Sequence, residues 1–171
     1  VLAAIEAAGL TPANHNGKGQ VVAAGTVEQL EAFAAKPPSR TRLFPLSVAG
    51  AFHTVHMEPA VDHLREVAAA MPTTTPSVAL LSNLDGNVVT DGREFANRLV
   101  NQVAHPVRWD LCMDTMVERS VTGLLELAPA GTLTGIAKRN LKGVELFNLN
   151  TPDQIPAARE FVAAHSSKEN A

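Results

Sequence analysis

Apolar residues fall along this chain in short runs whose spacing switches between helical and extended. Val1, Leu2 and Ile5 lie on one helical face and Gly9 follows, so residues 1–8 read as the tail of a helix. Leu10 to Asn14 reads as a short extended piece leading into the polar turn His15-Asn16-Gly17-Lys18-Gly19, and Gln20 to Ala24 as a strand. Thr26 and Gln29 form a T-x-x-Q capping box, behind which Val27, Leu30, Phe33 and Ala34 repeat at helical spacing until Pro37-Pro38. Arg40 to Val48 alternates as a strand does. Restoring one strand before Val1 would complete β-α-β-β-α-β, a ferredoxin-like unit.

From residue 49 onward the pattern changes character. A helix with the apolar face Met57, Val61, Leu64 and Ala68 accommodates Pro59 in its first turn. Ala79 to Ser82 reads as a buried strand, and Asp85-Gly86 as a tight turn into Asn87-Val88-Val89. Asp91 and Glu94 resemble a capping box for a helix carrying Phe95, Leu99 and Val103 and stopped before Pro106, and Asp110 is placed to cap the helix carrying Met113, Met116 and Val117. Thr122 to Leu127 is strand-like, Thr132 to Asn140 helical, Val144 to Asn148 a strand, and Thr151-Pro152-Asp153-Gln154 a helix start. Alternating strands and helices favour a parallel sheet covered on both faces. Ser166 to Ala171 reads as a frayed end.

Composition narrows the function. With 46% hydrophobic residues and a formal net charge of −3, the 171-residue chain is a folded one, and no basic stripe invites nucleic acid. The longest apolar stretches fall far short of the roughly 20 residues that span a bilayer. One Cys makes no internal disulfide, which fits a reducing compartment and a cytoplasmic location. The opening residue is Val1, inside an amphipathic segment, so the expectation is a chain cut from something longer.

Six His residues are scattered, only His53 and His56 are close, and no H-E-x-x-H occurs, which leaves no metal site to propose. No cofactor motif is found either. None of the serines at 39, 47, 77, 82, 120, 166 and 167 sits in a G-x-S-x-G elbow, and Cys112 falls in a helical run. His53 follows Gly50-Ala51-Phe52 at a junction between extended and helical chain, where α/β proteins present side chains to ligands. From the residues alone it is either a packed His or a catalytic base.

The run Val48-Ala49-Gly50-Ala51-Phe52-His53-Thr54, with Met57-Glu58-Pro59-Ala60 behind it, resembles the active-site His segment of malonyl-CoA:acyl-carrier-protein transacylases. Three further stretches agree in order and spacing. Asn14 to Val22 is similar to the family's N-x-N-x-x-x-Q turn, Leu99-Val100-Asn101-Gln102 through Pro106-Val107-Arg108-Trp109 to its L-V-x-Q-…-P-V-x-W segment, and Glu126 to Gly135 to its E-x-G-P-G-x-x-L-x-G turn. Ala128-Pro129-Ala130-Gly131 departs from the usual G-P-G.

The resemblance implies an α/β fold: the C-terminal part of an α/β-hydrolase-like large subdomain over 49–165, an incomplete ferredoxin-like small subdomain over 1–48, and a tail over 166–171. It implies a monomeric acyltransferase of fatty-acid synthesis that moves malonyl from CoA through a Ser ester to the phosphopantetheine thiol of acyl carrier protein. His53 would be the general base and acid, oriented by the backbone carbonyl of Gln102. Asn14 and Asn16 would contact the pantetheine arm, and Arg42, with Arg40 and Lys18, the CoA phosphates or the acidic carrier protein. A turn role for the two Asn and a solvated strand edge for the Arg pair remain open. The family's G-H-S-x-G-E nucleophile, its G-Q-G-S-Q segment and its carboxylate-pairing Arg have no counterpart among these residues, so the chain alone is expected to be inactive. A malonyl-selective acyltransferase domain of a polyketide synthase and a non-catalytic module that grips CoA or carrier protein are the alternatives.

Overall fold

The computed structural model of the chain describes residues 1–166, so most of the end expected to fray lies outside the described residues. They divide into two units, one over Val1–Cys112 and one from Met113 onward.

In the first unit, α1 (Leu2–Ala7) ends at Gly9, whose φ of +72° turns the chain into β1 (Thr11–His15). β1 pairs antiparallel with β2 (Val21–Ala24), and the turn between them closes through Asn16 N–H to the Gln20 carbonyl and Gln20 N–H to that of Gly17, both at 2.9 Å. Gly17 and Gly19 there have φ of +77° and +78°, the left-handed region glycine enters without strain. α2 (Val27–Ala35) begins at the capping box the sequence announces. The Thr26 hydroxyl accepts from Gln29 N–H at 3.3 Å and Gln29 Oε1 accepts from Thr26 N–H at 2.9 Å. The same Gln29 side chain donates to the Gly9 carbonyl at 3.0 Å, fastening α2 to the end of α1.

The strand expected over Arg40 to Val48 does not form. Residues 42–48 join no ladder among the described residues, and Phe44, Leu46 and Val48 stand exposed. Alternation supplies two side-chain faces, but a strand also needs a neighbour to take its backbone groups, and none of the described residues pairs with this segment. The β-α-β-β-α-β order is therefore represented by helix, hairpin and helix.

Beyond it, α3 (Glu58–Ala69) carries Pro59 in its first turn as expected. Its Val61 and Ala68 pack with Val100 of α4 (Gly92–Gln102) and with Ala104, and Met57 lies against this cluster. Arg93 donates to the carbonyls of Ala68 at 2.7 Å and Met71 at 2.6 Å, satisfying acceptors at the end of α3 that have no helical partner. The Asp91 carboxylate caps α4 by accepting from Glu94 N–H at 2.7 Å, while the Glu94 side chain turns to Arg98 instead of back to the cap. A Cβ on Gly92 would lie 2.1 Å from the Thr74 carbonyl, so glycine is required where these backbones meet.

The strand expected over Ala79 to Ser82 shrinks to β3 (Leu80–Leu81), paired with β4 (Val88–Val89). After Leu81 the backbone turns, with Gly86 N–H closing on the Ser82 carbonyl at 2.8 Å, and the two-residue partner leaves Ala79 nothing to pair with. Asp110 does not cap α5 (Trp109–Glu118). It lies in the first turn, where its two oxygens accept Nε and Nη2 of Arg108, each at 2.9 Å.

The second unit is a β-α-β crossover followed by a helix. β5 (Gly123–Leu127) and β6 (Glu145–Leu149) run parallel, in register from Gly123 opposite Glu145 to Leu127 opposite Leu149, with α6 (Thr132–Asn140) between them. Parallel neighbours need such a crossover, which is what the alternating pattern indicated. α7 (Ile155–His165) follows a 3₁₀ turn at Pro152–Gln154, and Gln154 Oε1 accepts the N–H groups of Thr151 and Asn150 at 3.1 and 2.8 Å. Phe161 of α7 packs on Phe147 of β6 with ring centroids 5.5 Å apart. No helix among the described residues is long and apolar enough to cross a membrane.

Candidate active site

His53 occupies a turn fixed from both sides. Its φ is +64°, a conformation uncommon for a residue with a Cβ. The following Thr54 is buried at 1% exposure; its hydroxyl donates to the Ala51 carbonyl at 2.6 Å and accepts the N–H of His56 at 3.3 Å. That closes the loop before the histidine onto the 3₁₀ turn Val55–Met57 that opens α3.

The other side is the end of α4. The last carbonyls of a helix have no partner within it, and His53 takes two of the acceptors in this region. His53 N–H donates to the Val103 carbonyl at 2.9 Å, and ring Nδ1 lies 2.7 Å from the Gln102 carbonyl oxygen. A carbonyl oxygen only accepts, so Nδ1 carries the hydrogen of this bond. In the neutral ring Nε2 is then left with its lone pair, the state a general base requires.

The Gln102 side chain is anchored as well. Its Nε2 donates to the carbonyls of His105 at 2.9 Å and Pro106 at 2.8 Å. One residue further, Val107 joins β1: its N–H donates to the Ala13 carbonyl and its own carbonyl accepts His15 N–H, both at 2.8 Å, placing Asn14 opposite Val107. Thus His53 and Gln102 touch, and Asn14 is tied to them through the 102–107 segment. Asn16 lies two residues on, in the β1–β2 turn, where its backbone closes that turn. Arg42 is not drawn in. It is exposed in the unpaired segment after α2, and its side chain makes no hydrogen bond or ion pair among the described residues; Arg40 and Lys18 are likewise exposed.

No hydroxyl or thiol among the described residues hydrogen-bonds His53 Nε2. Cys112 is buried at 1% exposure with its Sγ 3.4 Å from the Ser82 carbonyl, and burial pushes the thiol up to about 11, so it is a packed thiol and not a thiolate at neutral pH. Ser82 is also buried. A cavity of about 40 Å³ beside Gln102, lined by Ser82, Arg98 and Gln102 among others, has room for water and not for a substrate. Among the described residues no three His, Cys, Asp or Glu side chains are placed to share a metal ion.

The fourth motif folds into an anchored turn. Glu126, at the end of β5 and 8% exposed, accepts the N–H groups of Gly131, Leu133 and Thr134 at 2.9, 3.0 and 2.8 Å, with the Thr134 hydroxyl at 2.9 Å. Burial alone would raise the pKa of this carboxyl, but the donors outweigh it and hold it down at about 2. α6 has Gly131 at its cap position and no capping side chain of its own, so Glu126 satisfies its unpaired N–H groups from the preceding strand.

Two contributors escape a reading of the sequence alone. Thr54 carries a recognisable signal, a hydroxyl residue directly after the histidine and before a helix start. The Gln102 carboxamide carries none, because a glutamine near a helix end is ordinarily solvated.

No family model matches the chain. Over 152 residues it is 48% identical to the malonyl CoA-acyl carrier protein transacylase of Mycobacterium tuberculosis, a match that takes in 89% of this chain and 50% of that protein. The Escherichia coli K12 transacylase is 34% identical over 154 residues, again 89% of this chain and 50% of the other. In three dimensions the chain superposes on the crystal structure of MCAT from Mycobacterium tuberculosis with a TM-score of 0.88 and 46% identity, covering 92% of this chain and 52% of that one. A malonyl-transacylase solved in complex with its type II PKS acyl-carrier protein gives a TM-score of 0.85 at 30% identity over 92% and 53% of the two chains. The chain therefore has the α/β fold of the matched part of these proteins, and it spans about half the length of the curated relatives it matches.

Proposed function

We propose that the chain supplies the base-bearing part of a malonyl-CoA:acyl-carrier-protein transacylase, an acyltransferase of fatty-acid synthesis working in the cytoplasm. The observation that carries this reading is the His53 Nδ1 to Gln102 carbonyl bond at 2.7 Å, which leaves Nε2 as the free base. In acylation Nε2 takes the proton of a Ser hydroxyl as that oxygen attacks the malonyl thioester, then gives it to the departing CoA thiol. Transfer to the carrier protein runs the same exchange in reverse with the phosphopantetheine thiol. A neutral carbonyl stabilises the transient imidazolium less than a carboxylate does, and a thiolate is a good enough leaving group to need less help than an amine.

The division at residue 48, the pantetheine contacts of Asn14 and Asn16, and the anion contact of Arg42 belong to this proposal. Asn14 is supported by its place beside Val107, and Arg42 by its exposure as an uncommitted cation. The likeness to a type II PKS transacylase favours one second reading, the same transfer serving polyketide synthesis.

The test is a chimera in which this chain replaces the matched half of the Mycobacterium tuberculosis relative. Malonyl transfer from CoA to acyl carrier protein is expected, and His53→Ala in the chimera should lower it about a thousandfold with folding intact. A folded chimera with no transfer, or wild-type turnover in the variant, contradicts the proposal.

A further inference from the structure

We propose that the carboxamide side chain of Gln102 is a positioning residue for the base: it locks the turn that aims the Gln102 carbonyl at His53. The inference rests on the transacylase reading for its purpose, but its geometry stands apart from it.

The turn after α4 has an acceptor problem. Carbonyls 105 and 106 lie beyond the helix, and Pro106 has no N–H with which to build a regular ladder. Gln102 answers with one NH₂ group whose two hydrogens go to two oxygens, His105 at 2.9 Å and Pro106 at 2.8 Å. Its own carbonyl is used just as fully, accepting Nδ1–H of His53 at 2.7 Å and N–H of His105 at 3.3 Å. Both ends of one residue thus grip the same short segment. With the carboxamide removed, the carbonyls of His105 and Pro106 lose these two donors; the segment keeps Val107 on β1, the His105 N–H bond to the Gln102 carbonyl and the His105 ring bond to the Asn101 carbonyl at 2.8 Å, and the Gln102 carbonyl is held less firmly against the imidazole. No side chain among the described residues hydrogen-bonds that ring, whose one partner there is the Gln102 backbone carbonyl.

The chemistry also says which replacements fail. Met keeps the length and loses both donors; Glu keeps the shape and turns an acceptor toward two carbonyl oxygens.

The test reads the tautomer of His53 by long-range ¹H–¹⁵N correlation in the ¹⁵N-labelled full chain, at a pH where the ring is neutral. The Nδ1–H form should dominate in the wild type. Gln102→Met should lower the ratio of Nδ1–H to Nε2–H by about fivefold, the loss of one hydrogen bond of ordinary net strength, and Gln102→Glu should lower it further. The amide shifts of His15 and Val107 report whether the fold survives. An unchanged ratio in a folded variant overturns the proposal. Should both variants unfold, the wild-type chain still decides: scalar couplings from Gln102 Nε2 across to the carbonyl carbons of His105 and Pro106 are expected, and their absence overturns it. The chimera separates this inference from the reading it serves. An active chimera whose tautomer ratio ignores Gln102 removes the clamp alone, whereas a moved ratio in a chimera that transfers no malonyl removes the reading alone.

Discussion

The turn after β5 and the turn before α3 solve the same problem with opposite electrostatics. At each, a side chain grips backbone groups at a helix end. Glu126 is charged, buried, and surrounded by donors from Gly131, Leu133 and Thr134. His53 is only partly buried, bonds neutral carbonyls, and keeps one ring nitrogen unspent. A fully satisfied carboxylate with its pKa held at about 2 has no proton to exchange at neutral pH, so its work is to hold α6. A base must be fixed at one atom and free at another. A turn motif is structural or chemical according to what is left over once its bonds are made.

The comparison can be broken by substitution at each turn. His53→Ala is expected to cost about a thousandfold in transfer by the chimera while leaving its melting temperature almost unchanged, because the loss is that of a general acid–base group. Glu126→Leu should do the reverse to this chain: thermal and denaturant unfolding should show a loss on the order of 3 kcal/mol, from backbone donors left buried and unpaired. A variant that unfolds no more readily than wild type would show that Glu126 is not an anchor.

Acid separates the two turns without mutation. The folded pKa of Glu126 lies below its unfolded value of 4.5, so the folded state binds fewer protons there than the unfolded state. Its contribution is complete above about pH 5 and is lost as the pH falls toward 2. Denaturant midpoints measured between pH 7 and 2 should fall across that window, and Glu126→Gln should flatten this part of the decline. The smallest effect is expected at Thr54. Thr54→Val keeps the shape, removes the bond to Ala51, and should cost about 1 kcal/mol while loosening the left-handed turn at His53. Amide exchange at His53 and His56 would report that loosening.

How much of this was legible in the sequence follows from what each feature depends on. The T-x-x-Q box at Thr26, the first-turn Pro59 and the crossover from β5 through α6 to β6 are local or short-range, and the structure has them where the pattern placed them. Arg40 to Val48 has the alternation of a strand yet stays unpaired, since pairing depends on a neighbour that a local pattern does not contain. Asp110 looked like a cap and instead holds Arg108, because a bidentate guanidinium two residues away offers it more than one helical N–H does. His53 was singled out by its junction and by resemblance. Its contact with Gln102, 49 positions along the chain, is invisible to spacing, and the double role of the Gln102 side chain depends on the fold having already brought residues 105 and 106 within reach.

The central claim is that His53 is the base of both half-reactions. Rapid-quench measurement of the acyl-enzyme formed from malonyl-CoA in the chimera tests it most directly, since it reads acylation before any carrier protein takes part. The account predicts a burst approaching one malonyl per active site in the intact chimera and a burst rate about a thousandfold lower in His53→Ala. An undiminished burst in the variant would contradict it.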